Sequence, residues 1–253
     1  MIPQRIGVFD SGVGGISVLK SLIDSHNFSE IIYYGDTARV PYGVRSPETI
    51  AQYSLEALEF FKSFELDLLV IACNTVSAYG LKAMQEVAPC PIVGVIEPGV
   101  LALKNKITDK DSKILILGTK ATIQSNLYSE LLAYEGYHNT FGLATSLFVP
   151  IVEENIFEGA ILEATMTHYF TNYSLTPEAI ILGCTHFPLL KDSISRYYHN
   201  QPLLIHSGEA IMEYLQNSYI LKSFENPPKV TFYASDSVEK LEKIAKVWLN
   251  ENK

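Results

Sequence analysis

Two of the three cysteines stand in matching settings. LVIACNT (69–75) and IILGCTH (180–186) each run an apolar strand into a small residue, a cysteine and two polar residues. A buried cysteine is ordinarily a small hydrophobe, and Cys90, wedged in APCPIV, reads that way. Cys73 and Cys184 differ because both end a strand inside a polar turn. Two groups of one kind, each with a free pKa of about 8.5, suit one task. One takes a proton from one face of a carbon, the other returns a proton to the opposite face, and the roles swap in the back reaction. The α-carbon of an amino acid is such a centre, because its proton is weakly acidic and inversion needs a base and an acid on opposite sides. One thiol must then be a thiolate while the other keeps its proton, which takes tuning neighbours. Asp10, and His186 two positions after Cys184, are placed to supply that tuning.

The glycine-rich run Asp10-Ser11-Gly12-Val13-Gly14-Gly15 argues against three other chemistries. It lacks the third glycine spacing of a dinucleotide fingerprint and the Lys-Ser or Lys-Thr of a phosphate loop. An aspartyl nucleophile at Asp10 would want a second acid nearby, and Ser11-Gly12-Val13 offers none. A tight turn that brings backbone close to a small ligand fits better. A pyridoxal-phosphate enzyme needs a Schiff-base lysine beside a phosphate cradle, and none of the strand-end turns carries one.

These residues have to be positioned by strands. Apolar runs at 5–10, 30–36, 66–73, 91–96, 113–119, 179–184, 202–206 and 229–235 are predicted strands. Several are continuously apolar, as in parallel strands covered on both faces. Amphipathic stretches at 14–25, 46–64, 78–87, 122–136, 158–172 and 237–251 are predicted helices, with Ser46-Pro47-Glu48 reading as a capped start. Alternation of the two gives an α/β fold: two similar parallel-sheet domains facing each other across a central site. The predicted division is 1–97 plus 208–253 against 98–207, breaking near Glu97-Pro98-Gly99, with the last strand returning to the first half. Ligands of such sheets bind at the carboxyl ends of the strands, where Asp10-Ser11, Cys73-Asn74-Thr75, Thr119 and Cys184-Thr185-His186 all fall. Asn74, Thr75, Thr119 and Thr185, taken singly, would serve equally well as helix N-caps.

The bulk properties agree with a folded enzyme. Of 253 residues, 47% are hydrophobic and 19% charged, and the net charge is −9 from 19 basic and 28 acidic side chains. No basic cluster offers itself to nucleic acid. The apolar stretches are interrupted before membrane length by Asp67, Glu97 and Lys113. No signal peptide is expected from MIPQRIGVFDSG. Three cysteines without a disulfide or zinc spacing fit free thiols in a reducing cytoplasm.

Taken together, GVFDSGVGG (7–15), YYGDTARVPYG (33–43), ACNTVSA (72–78), GVIEPG (94–99), LGT (117–119) and GCTHFPLL (183–190) resemble the glutamate racemases, within the aspartate/glutamate racemase superfamily. The resemblance implies that Cys73 and Cys184 are the catalytic pair, assisted by Asp10, His186 and Glu153. It implies substrate-binding segments at Asp10-Ser11, Tyr42-Gly43, Asn74-Thr75 and Thr185-His186, with Thr119 joining them. It also implies L- and D-glutamate as ligands, no pyridoxal phosphate or metal, supply of D-glutamate for peptidoglycan, and a homodimer. Arg39 and Tyr34 read as ordinary surface and packing residues. Alternatives on the same scaffold are an aspartate racemase, a Cys184–His186 acyl-transfer enzyme, and an amino-acid-binding protein without catalysis.

Overall fold

The structure, a computed structural model, describes residues 2–171 and 176–250. The predicted helices at 158–172 and 237–251 each run one residue beyond it, so Asn172 and Glu251 lie outside the described residues.

The first lobe is built from β1 (Arg5–Asp10), α1 (Ile16–Asp24), β2 (Glu30–Gly35), α2 (Pro47–Phe61), β3 (Leu68–Ile71), α3 (Asn74–Tyr79), α4 (Leu81–Val87) and β4 (Ile92–Gly94). The chain then crosses on α5 (Ile96–Lys106) to β5 (Ile114–Gly118), α6 (Lys120–Gln124), α7 (Leu127–Tyr134), β6 (Thr140–Ala144), α8 (Phe148–Glu153), α9 (Ala160–Phe170), β7 (Ala179–Gly183), α10 (Lys191–Tyr197) and β8 (Leu203–His206). It returns on α11 (Ser207–Ser218) to β9 (Lys229–Ala234) and α12 (Val238–Asn250). Two parallel sheets result, in the orders β4-β3-β1-β2-β9 and β6-β5-β7-β8. The two crossing helices α5 and α11 pack on each other, and α11 also packs on α1.

The central strands are apolar throughout because helices cover both faces: β3, β5 and β7 are buried at every position. Register carries this order to the strand ends. Gly118 pairs with Gly183, so Thr119 and Cys184 leave the second sheet side by side. Phe9 pairs with Ile71, so Asp10 and the Ala72-Cys73 turn leave the first sheet together.

The predicted cap of α2 is present: Ser46 Oγ accepts from the Thr49 amide at 3.3 Å, with Pro47 at the first helical position. Elsewhere the elements differ from expectation for local reasons. The single helix expected over 122–136 is two, broken at Asn126, whose φ of 58° is left-handed. The helix expected over 78–87 is broken at Gly80, where α2 comes so close that a Cβ would stand 2.1 Å from Ser54 Oγ. β6, α5, α8, α10 and α11 have no counterpart among the predicted elements. β6 is a half-buried edge strand with a central glycine, and α5 hides its Pro98-Gly99 in its first turn, where proline costs no hydrogen bond. Among the described residues no helix is long and apolar enough to cross a membrane.

Candidate active site

Both sheets aim their carboxyl ends at one cavity of about 410 Å³, within the range of small-molecule sites. Ser11, Tyr42, Gly43, Cys73, Asn74, Thr75, Thr119, Glu153, Cys184, Thr185 and His186 line it, so every residue singled out in the sequence is there except Asp10. Asp10 is 1% exposed and sits one layer behind, accepting from the Gly12 amide at 3.0 Å and from Thr185 Oγ1 at 3.4 Å. The cavity wall also holds Ser146, Val149 and Pro150, which no sequence pattern marked.

The two thiols reach the cavity from opposite lobes, Cys73 at 5% and Cys184 at 6% exposure. Both are free, as is the half-buried Cys90. Cys73 Sγ lies 3.4 Å from Ser11 Oγ. Burial, and then the nearby charge of Asp10, push its pKa up to about 12, while Ser11 pulls slightly the other way. Cys184 Sγ lies 3.7 Å from His186 Nδ1, and His186 Nε2 lies 3.0 Å from Glu153 Oε1. Burial acts to lower the His186 pKa, but the hydrogen bonds to Cys184 and Glu153 and the charges of both push it up to about 10. These contacts favour an imidazolium facing the Cys184 sulfur. Asp10 is raised from the ordinary carboxylate range by burial, with the His186 charge opposing. It stands near enough to act on both sides of the site.

Close approach between the lobes depends on two glycines. A Cβ on Gly14 would stand 2.3 Å from Thr185 Oγ1 and 2.6 Å from His186 Nδ1, and one on Gly43 would stand 2.6 Å from Thr119 Cβ. Hydrogen bonds cross at the same level: Ser17 Oγ donates to the Thr185 carbonyl at 2.6 Å, and Thr75 Oγ1 lies 3.0 Å from Thr119 Oγ1 and 3.1 Å from Thr122 Oγ1. Thr119 is at once cavity wall and N-cap of α6, accepting from the Thr122 amide at 3.3 Å.

Tyr42 lines the cavity, but its hydroxyl is committed elsewhere, donating to the fully buried Asp36. Arg39, expected as a surface cation, is instead ion-paired to Asp36 at 2.6 Å and to Glu56, and lies 4.2 Å over the Tyr53 ring. This cluster anchors the wall formed by residues 40–44.

Two facing parallel α/β lobes define a fold class, and comparison with known proteins agrees on that fold. The family model described as Asp/Glu/Hydantoin racemase matches residues 11–215, and the chain belongs to that family, an isomerase of its glutamate racemase branch. The glutamate racemase of a Nitratiruptor species is 56% identical over 248 residues, covering 98% of this chain and 97% of that one. The crystal structure of glutamate racemase from Campylobacter jejuni subsp. jejuni superposes with a TM-score of 0.96 at 53% identity, covering 99% of this chain and all of that one. The structure from Francisella tularensis subsp. tularensis, in complex with D-glutamate, superposes with a TM-score of 0.84 at 31% identity, covering 97% and 93%.

Proposed function

We propose that this protein interconverts L- and D-glutamate by proton transfer between two thiols, with no cofactor. One cysteine, as thiolate, takes the α-proton and becomes a thiol. The electron pair left on the α-carbon delocalises into the adjacent carboxylate. The other cysteine, as thiol, delivers a proton to the opposite face and becomes a thiolate. Proton and charge balance, and the pair ends each turnover with its protonation states exchanged. The observation that carries this reading is that Cys73 and Cys184 line one cavity from opposite lobes. His186, held by Glu153, stabilises negative charge on the Cys184 sulfur, and Asp10 acts through the Ser11-Gly12 turn and Thr185. The Asn74-Thr75 and Thr185 turns hold one carboxylate of glutamate, and the Ser11 and Tyr42-Gly43 side orients the rest. The role that follows is supply of D-glutamate for peptidoglycan by a soluble, cytoplasmic homodimer.

Proton NMR with L-glutamate in D2O, without added cofactor, tests the mechanism. The α-proton signal is expected to vanish as D-glutamate forms. Cys73→Ala and Cys184→Ala should each lower the racemisation rate by about a thousandfold or more, within the usual reach of general acid–base groups. Racemisation surviving in either variant overturns the two-thiol scheme. Aspartate racemised faster than glutamate would keep the scheme and change the substrate.

A further inference from the structure

Asn74 directly follows Cys73, and Gly183 directly precedes Cys184. One side chain touches both. Tyr128, in the first turn of α7, donates its hydroxyl to Asn74 Oδ1 at 2.7 Å. Its ring lies against Gly183, where a Cβ would stand only 3.2 Å from Tyr128 Cε2. The ring's other edge faces Gly99 of α5, where a Cβ would stand 3.4 Å from Cε1. The side chain is 3% exposed. The Asn74 amide is tied at its other end too, Nδ2 donating to Ser207 Oγ at 3.3 Å. The turn carrying Cys73 is thus fastened to α7 and to the start of α11, neither of which belongs to the first sheet.

We propose that Tyr128 is a positioning residue that sets the separation and alignment of the two thiols, acting as a strut from the turn after Cys73 to the strand end before Cys184. This rests on the two-thiol reading of the site. A tyrosine suits the task because its ring is stiff, with only two side-chain torsions, and its far end can make a directed bond. Burial and the charge of Cys184 raise the phenol pKa, so the hydroxyl stays a donor across the working pH range. Proton transfer to and from one carbon is steeply sensitive to distance, and a misplacement near 1 Å costs about a hundredfold. Tyr128 is not among the residues that line the cavity. Its loss should damage the second half of the reaction, the capture of the carbanion by the far thiol, while the Asn74-Thr75 turn, still tied to Ser207 and Thr119, keeps most of its hold on the substrate.

The test is Tyr128→Phe beside wild type, Cys73→Ala and Cys184→Ala, in D2O. Three quantities are read: kcat in both directions, KM, and the deuterium in recovered L-glutamate relative to that in D-glutamate product. The variant should lose about tenfold or more in kcat in both directions, with KM within about threefold. The deuterium ratio should rise severalfold, because a carbanion that the second thiol misses persists while the first thiol exchanges its abstracted proton with D2O, and that thiol then returns deuterium to the original face. Partial unfolding would lower the amount of active enzyme without moving that ratio. Asn74→Ala, which removes the acceptor and leaves the ring, should raise the ratio at least as much and also raise KM, because it loses the Ser207 bond and sits in the substrate-holding turn. Adding Tyr128→Phe to it should raise the ratio no further. Wild-type kcat and ratio in Tyr128→Phe, or additive effects in the double variant, would overturn the strut. If Tyr128→Phe does not fold, Asn74→Ala with an unchanged ratio overturns it equally. Racemisation surviving in either alanine variant would instead overturn the two-thiol reading beneath it.

Discussion

The two cysteine turns echo each other in sequence, yet their surroundings are opposite in charge. Cys73 meets a hydroxyl, Ser11, and the field of a buried carboxylate, Asp10, and its pKa is pushed up to about 12. Cys184 meets an imidazole whose own pKa is pushed up to about 10 by its contacts with the thiol and Glu153. Matching motifs therefore do not make matching environments. In the resting protein the Cys73 side favours the protonated thiol, while the Cys184 side supplies a cation beside sulfur. In the proposed two-thiol scheme the Cys73 thiolate therefore needs stabilisation within the substrate complex whenever turnover produces it. In that scheme the substrate ammonium is the natural source, since among the described residues no lysine or arginine lines the cavity.

The comparison breaks most severely if the cation is removed. His186→Asn is expected to cost about a hundredfold in kcat/KM in the proposed mechanism, the scale of a group assisting a proton transfer. The pH profile sharpens this. Wild-type kcat/KM should fall as pH rises through about 10, where His186 loses its proton, and the variant should lose that limb. Stability follows the same group. An imidazole raised from its ordinary value near 6.5 to about 10 in the folded state gives stabilisation that is complete below pH about 6.5. That stabilisation is lost as pH climbs through about 10. The thermal midpoint should therefore decline between about pH 7 and 10, and His186→Asn should flatten the decline. A wild-type midpoint that rises over that interval would contradict the assignment.

A steric change on the same side should have a comparable or slightly smaller effect. Gly14→Ala places a Cβ 2.3 Å from Thr185 Oγ1 and 2.6 Å from His186 Nδ1, so either the glycine loop or the Cys184 turn must move. A loss of about tenfold or more in kcat is expected, with a smaller effect on Cys73 reactivity. Thiol-alkylation rates, measured peptide by peptide, would show which cysteine has shifted. An unaltered Cys184 rate with full activity would mean that the lobes are not held as closely as this contact implies.

Part of this asymmetry is legible in the amino-acid sequence, and the remainder is hidden there for definite physical reasons. The strands leading to Cys73 and Cys184 stand out because buried parallel strands are continuously apolar, and the polar turns after them contrast with that background. His186 is marked by its nearness in sequence to Cys184. Its bond to Glu153 comes from α8, 33 residues earlier, and the sequence leaves Glu153 and Glu154 as neighbours with competing claims. Tyr128 is hidden because 15 tyrosines dilute the signal of any one, and its partners Asn74 and Gly183 lie far off in sequence. Tyr42 is legible as part of the site, but the direction of its hydroxyl depends on Asp36, whose burial arises only when the 37–44 segment folds over the end of β2.

On the carboxylate behind the cation, the expected effect is smaller. Glu153→Gln keeps the shape and removes a charge 3.0 Å from His186 Nε2. The Glu153 side chain is 42% exposed, so solvent screens much of the interaction. The alkaline limb of kcat/KM should move to lower pH, with a loss of a few-fold at neutral pH, well short of that for His186→Asn. Equal losses in the two variants would mean that Glu153 acts on the substrate directly rather than through the imidazole.

Ser11→Ala is the mildest test, and it probes the other thiol. Ser11 Oγ is 3.4 Å from Cys73 Sγ and opposes, in small measure, the rise caused by burial and Asp10. A hydrogen bond of this kind contributes about 1 kcal/mol net, so its removal should cost no more than about fivefold in kcat. The effect should be directional. Whichever enantiomer relies on Cys73 as the base should suffer more in kcat, because its proton-abstraction step needs the thiolate that Ser11 helps to stabilise. The equilibrium between L- and D-glutamate in solution cannot change, so any inequality in the kcat losses must be matched by a compensating change in the KM values. Measuring both directions would therefore assign Cys73 to one enantiomer and Cys184 to the other. Equal losses in kcat would mean that Ser11 serves the bound substrate rather than the sulfur.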